Sequence, residues 1–221
     1  GNDDDVRSVV GDALPVLAAG AIIVDHTTTS ARVAREMAAL TAAQGVAFID
    51  APVSGGQAGA ENGQLSVMAG GDIGALEQVR PTLMAYSKAI QHMGPSGAGQ
   101  LTKMVNQIAI AGVVQGMAEA VHFAQAAGLD TDAVYEAISK GAAQSWQMDN
   151  RWKTAAEGRF DFGFAVDWMR KDLGLVLEEA RSNGTQLAVT ALVDQFYAEV
   201  QALGGSRWDT SSLKARLKSP G

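Results

Sequence analysis

The stretch AIIVDHTTTSARVAREMAALTAAQGVAFIDAPVSGG, residues 21–56, decides the fold. Ala21-Ile22-Ile23-Val24-Asp25 is a short apolar strand. From Ala31 to Ala43 the apolar residues recur at helical spacing, and Gly45 supplies a C-terminal stop. Ala47-Phe48-Ile49-Asp50 is a second strand. A strand, a helix of 10–15 residues and another strand indicate an α/β sheet with parallel pairings.

The same alternation extends on both sides. Upstream, Val6 to Leu17 reads as a short helix. Downstream come a glycine-rich loop, a strand Leu65–Ala69, a helix Gly74–Tyr86 and a short strand Ala89–Met93. After Gly94 the pattern changes. Ala98 to Ala127 is one long helical stretch without proline, and Thr131–Lys140, Val166–Asn183 and Leu187–Leu203 are helices as well. Thr131 is a plausible cap, and Gly128 and Gly184 act as stops. Gly112, Gly116, Ala120 and Ala124 form a stripe of small residues at four-residue spacing, expected to receive a neighbouring helix.

Composition narrows the function. The 221 residues are 47% hydrophobic and 19% charged, ordinary for a globular chain with a real core. A net charge of −7 with no basic stripe argues against nucleic acid and anionic membranes. There is no cysteine, which excludes disulfides, thiolate metal sites and a cysteine nucleophile. His26, His92 and His122 lack ligand spacing, so no metal site is expected. No apolar run of about 18 residues and no signal peptide were found, which points to a cytoplasmic protein.

Four segments carry candidate chemistry. Asp25-His26-Thr27-Thr28-Thr29-Ser30 lies at a strand's carboxyl end, where open α/β sheets bind ligands; it could equally serve only as the cap of the next helix. Asp50-Ala51-Pro52-Val53-Ser54-Gly55-Gly56 also follows a strand. Its glycines leave N–H groups uncovered, as in an anion nest or an ordinary turn. Gly94-Pro95-Ser96-Gly97-Ala98-Gly99 mimics a dinucleotide fingerprint, but its spacing is G-x-x-G-x-G rather than G-x-G-x-x-G, and no acidic strand end follows. One turn further, Lys103, Asn106 and Gln107 share a helix face at i, i+3 and i+4. A lysine buried there would have its pKa lowered into the range useful for proton transfer; a solvated lysine would do nothing of the kind. Arg170-Lys171-Asp172-Leu173-Gly174-Leu175 reads by itself as a charged helix face.

Taken in order, these segments resemble the β-hydroxyacid dehydrogenase family. Asp50–Gly56 is similar to its substrate-binding loop, Gly97-Ala-Gly-Gln-Leu-Thr-Lys103 to its catalytic segment, and Lys171–Leu175 to its cofactor-proximal helix. Lys103-Met-Val-Asn-Gln107 resembles the reductase subgroup more than members with two adjacent asparagines. The threonine loop departs from the family pattern at Ala31, where a proline is common.

The resemblance implies an α/β fold: the C-terminal part of a Rossmann-type NAD(P)-binding domain at 1–93, then an all-helical domain at 94–221 built on a long interdomain helix. It implies a preceding strand, G-x-G-x-x-G turn and helix ahead of Gly1, roughly two βαβ units of about 30 residues each. The 221-residue chain alone is therefore expected to bind NAD(P)H weakly, being a fragment or completed by another chain. The implied roles are Lys103 as catalytic acid/base; Ser54, Gly55, Gly56 and Asn106 as substrate-binding; Thr28 and Lys171 as cofactor-binding, with NAD or NADP. A small hydroxy acid or semialdehyde is the expected partner, with hydroxyisobutyrate, tartronate semialdehyde, succinic semialdehyde and serine all fitting. Trp146, Phe164 and Trp168 are expected in the core or shaping the pocket. A homo-oligomer, dimer or tetramer, is expected to cover an apolar helical face. The alternatives are an imine reductase of the same fold, against which Lys103 argues, and a non-catalytic helical dimerisation fragment.

Overall fold

In the computed structural model, which describes residues 1–217, the chain divides into two compact units, Gly1–Asn106 and Gln107 onward. The division falls inside the longest helix. The first unit is built on five strands: β1 (Ile22–Asp25), β2 (Ala47–Asp50), β3 (Val53–Ser54), β4 (Leu65–Gly70) and β5 (Ser87–Gly94). Helices α1 (Asp3–Ala13), α2 (Ala31–Ala42), α3 (Gly56–Glu61) and α4 (Ile73–Leu83) accompany them.

The sheet is mixed rather than uniformly parallel. β1 pairs parallel with β2 and β4 parallel with β5, whereas β4 runs antiparallel to β2 and β3. Connection length decides which. The chain between β1 and β2 carries α2 and that between β4 and β5 carries α4, each long enough for a crossover. Between Ser54 and Leu65 there is room only for the short α3, so the chain must turn back on itself.

Both faces of the sheet are covered, as period-two alternation requires. Ile22, Val24 and Ile49 pack with Val67, Ala75 and Leu76 on the α4 side; Ile23 and Phe48 pack with Val6, Val10, Val33 and Met37 of α1 and α2 on the other. Helix α1 begins at Asp3, earlier than Val6, because Asn2 and Asp5 form a reciprocal capping box. Ser30 caps α2 through Val33 N at 3.0 Å, and Asp3 in turn accepts from Ser30 N and Oγ.

Helix α5 (Ala98–Ala126) runs through the division into the second unit, followed by α6 (Thr131–Ile138), α7 (Trp146–Ala156), α8 (Val166–Asn183) and α9 (Ala188–Ala202), then a 3-10 turn at Thr210–Arg216. Asp130, not Thr131, is the N-cap of α6. Gly184 closes α8 at φ 77°, a left-handed conformation that glycine adopts without strain. The main core joins Ala111, Val114 and Ala118 of α5 to Met169 and Leu173 of α8 and Tyr197 and Val200 of α9. Met117 and Val121 pack with Met148, Trp152 and Phe160 in a second cluster.

The small-residue stripe does not do what its spacing suggested. Gly116 and Ala120 are exposed, and a Cβ built at Gly112 or Gly116 would meet nothing within 4 Å. The core takes Ala111, Val114, Ala118 and Val121, and of the stripe itself only Ala124 is buried. The outer face of α5 instead carries Val105, Val113 and Phe123, the last 70% exposed. Contrary to the expectation that no segment reaches span length, α5 is long and apolar enough to cross a membrane, alone among the helices of the described residues. Its buried rows are packed against protein, as in the core helix of a globular fold.

Candidate active site

The first unit gathers its polar residues where the strands β1 and β2 end and α5 begins. The first N–H groups of a helix lack intrahelical partners and need acceptors. Asp50, the last residue of β2, supplies them: its carboxylate accepts from Gly97 N at 2.7 Å and Gln100 N at 3.0 Å. The side chain is wholly buried, and that burial pushes its pKa up, against the downward pull of the backbone donors. Two glycines permit the approach. A Cβ on Gly70 would fall 2.6 Å from Asp50 Oδ1, and one on Gly99 would strike the carbonyls of Met68 and Asp50.

One turn along α5 stands Lys103, only 8% exposed. The solvated-lysine alternative is thereby overturned. Its Nζ donates to the carbonyl of Val53 at 3.0 Å, which ties it to the chain immediately before Ser54. Asn106 follows one turn later on the same helix and is half-buried. Ser54 ends β3, and Gly55 and Gly56 take φ of 130° and 62°, conformations that side chains resist. Both glycines are exposed, so their backbone is accessible to a ligand.

The threonine loop is joined to the same helix. Gln100 is completely buried; its Oε1 accepts from Thr29 N at 3.0 Å and its Nε2 donates to the carbonyl of Thr27 at 2.8 Å. Thr28 lies between these two anchored peptides and is half-buried. His26 links the loop to the segment after β2 and to Tyr86, with Nδ1 2.6 Å from Ala51 O and Nε2 2.7 Å from Tyr86 Oη. Thr29 Oγ1 is buried with no hydrogen-bond partner among the described residues, a hydroxyl available to a polar ligand at the end of β1. The loop thus caps α2 through Ser30 and also presents polar groups at the strand ends; the two readings of its sequence are compatible.

Lys171 belongs to the second unit. There its Nζ lies 3.2 Å from Oδ1 of Asp172, a carboxylate 2% exposed that also accepts from Gln107 Nε2 at 2.7 Å. Arg170, its neighbour, is structural: it pairs with Asp194 at 3.0 Å and donates to Gln201. The segment is therefore more than a charged face, since Asp172 points inward. Trp146, Phe164 and Trp168 are not core residues; Trp146 is 57% exposed, with Arg151 stacked 5.0 Å from its ring. No group of metal-ligating side chains occurs among the described residues.

Asp50, Gln100, His26 and Asp172 all stand within the motifs read from the sequence, but the sequence alone assigns none of them a role. Their partners lie far along the chain, so local spacing carries no signal for them. The one available hint was that polar residues recur on helices and strand ends that are otherwise apolar, and such groups need partners when buried.

Chemically, this arrangement offers a buried amine as proton donor or acceptor, a polar amide one turn away and an exposed glycine-rich backbone beside them. Two family models match the chain. Residues 1–94 match one described as the NAD binding domain of 6-phosphogluconate dehydrogenase, and residues 97–217 match one described as NAD-binding of NADP-dependent 3-hydroxyisobutyrate dehydrogenase. An uncharacterized oxidoreductase of Shewanella frigidimarina is 66% identical over 221 residues, covering 99% of this chain and 76% of its own length. The 2-hydroxy-3-oxopropionate reductase of Escherichia coli is 35% identical, covering 90% of this chain and 68% of that protein. Among solved structures, a Mycobacterium tuberculosis 3-hydroxyisobutyrate dehydrogenase with L-serine aligns with a TM-score of 0.88 at 30% identity, over 98% of this chain and 77% of that one.

Proposed function

The chain belongs to the NAD(P)-dependent β-hydroxyacid dehydrogenase family, and on that premise we propose that it interconverts a small 3-hydroxy acid and its semialdehyde. The observation that carries this is the buried Lys103, held by Val53 O at the edge of the glycine-rich loop. A nicotinamide cofactor, NAD or NADP, supplies or takes the hydride when bound. The polar end of β1, with Thr28 and the buried Thr29 hydroxyl, fits such a group. Residues 1–93 would form part of the NAD(P)-binding domain and residues 94–221 the helical domain, with Lys171 contributing to the cofactor side.

In the reductive direction the substrate carboxylate rests on the backbone N–H groups of Ser54, Gly55 and Gly56. Asn106 hydrogen-bonds the substrate and fixes its orientation. As the aldehyde carbon gains a hydride, its oxygen gains negative charge, and Lys103 Nζ, as an ammonium, transfers a proton to that oxygen. In oxidation the neutral amine removes the hydroxyl proton. General acid–base assistance of this kind contributes about 10²–10⁴-fold. Relatives named for hydroxyoxopropionate and hydroxyisobutyrate share the carboxylate-plus-hydroxyl pattern, which supports this substrate class without choosing among its members.

The test is a panel of small semialdehydes and one cyclic imine, each assayed with NADH and NADPH. Turnover of a carboxylate-bearing semialdehyde well above the imine is expected. Preferential reduction of the imine would reject the assignment of Lys103 and favour an imine reductase.

A further inference from the structure

The amide of Gln100 faces one donor and one acceptor of the threonine loop, Thr29 N–H and Thr27 C=O, and satisfies both. A primary amide is the side-chain group that offers both functions at this reach without carrying charge. Its backbone N–H meanwhile donates to Asp50. One residue thus joins the end of β1, the end of β2 and the first turn of α5. Three positions on, one turn along that helix, is Lys103. The two clamped peptides bracket Thr28, the only loop residue between them.

From this juxtaposition we infer that Gln100 is a positioning residue: it fixes the Thr27–Thr29 backbone against the helix that carries Lys103, so that cofactor and proton donor share one frame. The inference rests on the proposed reaction for its meaning but on the loop geometry for its evidence. Two hydrogen bonds from a buried side chain hold a segment that has no regular secondary structure between Asp25 and Ala31. Without them the loop keeps its cap at Ser30, the turn from Thr27 N to Asp25 and the His26 contacts, but loses these two bonds to α5.

Gln100→Glu tests this better than truncation. At neutral pH the introduced carboxylate keeps an acceptor for Thr29 N–H but confronts the Thr27 carbonyl with a second acceptor. Protonated, the carboxyl regains one donor beside one acceptor, the pattern of the amide. The ionisable groups around this position are Asp25 and His26 on the loop, Asp3 against Ser30, Arg35 of α2 against Gly97, Asp50 at the helix end and Lys103 one turn on. They are common to both proteins, so the ratio of variant to parent isolates the new group.

Three readouts apply, with Gln100→Ala and the control Thr41→Val alongside. Thr41 lies in the last turn of α2, at the opposite end from the loop, and also loses one partly buried hydrogen bond. Amide hydrogen exchange in the cofactor-free protein should find Thr29 N–H protected in the parent. In Gln100→Ala its exchange should rise about fivefold or more, as expected for loss of a hydrogen bond worth roughly 1 kcal/mol or above, whereas Gln100→Glu, which keeps the acceptor, should raise it less. In the complete protein that the resemblance implies, fluorescence titration with NADH and NADPH should show affinity weakened about tenfold, and the variant-to-parent ratio should narrow for Gln100→Glu as pH falls. KM for cofactor should rise while KM for semialdehyde stays near the parent's. Thr41→Val should leave all of these unchanged. The inference is overturned if Thr29 exchanges freely in the parent. It is also overturned if the Gln100 variants lose only thermal stability, at unchanged cofactor affinity and with no acid rescue. Lys103→Ala run in parallel separates the two claims: unchanged turnover there rejects the reaction while leaving the loop measurements to decide on Gln100.

Discussion

Gly99→Ala separates two physical effects that oppose each other in sign. Alanine is about 1 kcal/mol more favourable than glycine within a helix, and Gly99 is the second residue of α5 with an ordinary backbone conformation. Propensity alone therefore makes the substitution stabilising. The surroundings say otherwise. The added methyl would meet Met68 O, Asp50 O at 2.5 Å and Asp50 Oδ2 at 2.9 Å. Two of these are backbone carbonyls, of Met68 within β4 and Asp50 at the end of β2, which cannot rotate away. Overpacking in tight sites costs typically about 1–3 kcal/mol, and two unyielding backbone contacts place this one near the upper end. Net of propensity, the loss is about 2 kcal/mol, a fall in Tm of about 4–8 °C for a chain of this size. The start of α5 must also shift away from β2 and β4, carrying Lys103 with it, so kcat should fall even well below the Tm. Urea or thermal unfolding read beside steady-state turnover is the assay. A variant as stable as the parent or more so would refute the close packing of α5 on the strand ends.

Asp50 gives a pH prediction. Its folded pKa is raised by burial, so the stability it contributes is complete below the ordinary carboxylate pKa near about 4 and is lost as pH rises through the folded value. Relative to Asp50→Asn, the parent should therefore lose Tm as pH rises from about 4 into the neutral range; a parent that gains relative to the variant would mean that the Gly97 and Gln100 donors outweigh desolvation. Asn106→Ala should raise KM for the semialdehyde together with a fall in kcat, and a change in cofactor affinity alone would count against its substrate role. Lys171→Ala should weaken cofactor or substrate binding at least as much as it slows turnover, with binding measured directly by titration.

Much of the fold is legible because it rests on local signals. β1, α2 and β2 announce themselves by an apolar strand, a Ser30 cap and a glycine stop, and α5 by thirty residues without proline. Helix α7 was invisible because only Met148, Trp152 and Ala155 face inward among polar neighbours. The 3-10 turn at Thr210–Arg216 buries Ser211 and Ser212, and Asp209 accepts hydrogen bonds from Ser211, so hydrophobic pattern had nothing to report there. The antiparallel return of β4 depends on connection length rather than on anything within the strand. The stripe at Gly112, Gly116 and Ala120 shows that small residues permit a close approach without requiring one. At the candidate site, Lys103 and the glycine loop were singled out by the family resemblance, where spacing alone left their roles open. Asp50 and Gln100 were not, because their partners sit 47 to 73 residues away and only the folded chain brings them together.

The most direct test of the proposed chemistry is the turnover of Lys103→Ala and Lys103→Arg with the best semialdehyde of the panel. Both should lower kcat by about 10²-fold or more at nearly unchanged cofactor affinity. Arginine should not rescue, because it remains protonated at neutral pH and cannot return a proton. A lysine with a purely structural role predicts lost stability with kcat changed by less than about twofold. That result, in a residue only 8% exposed and bonded to Val53, would remove Lys103 from the mechanism.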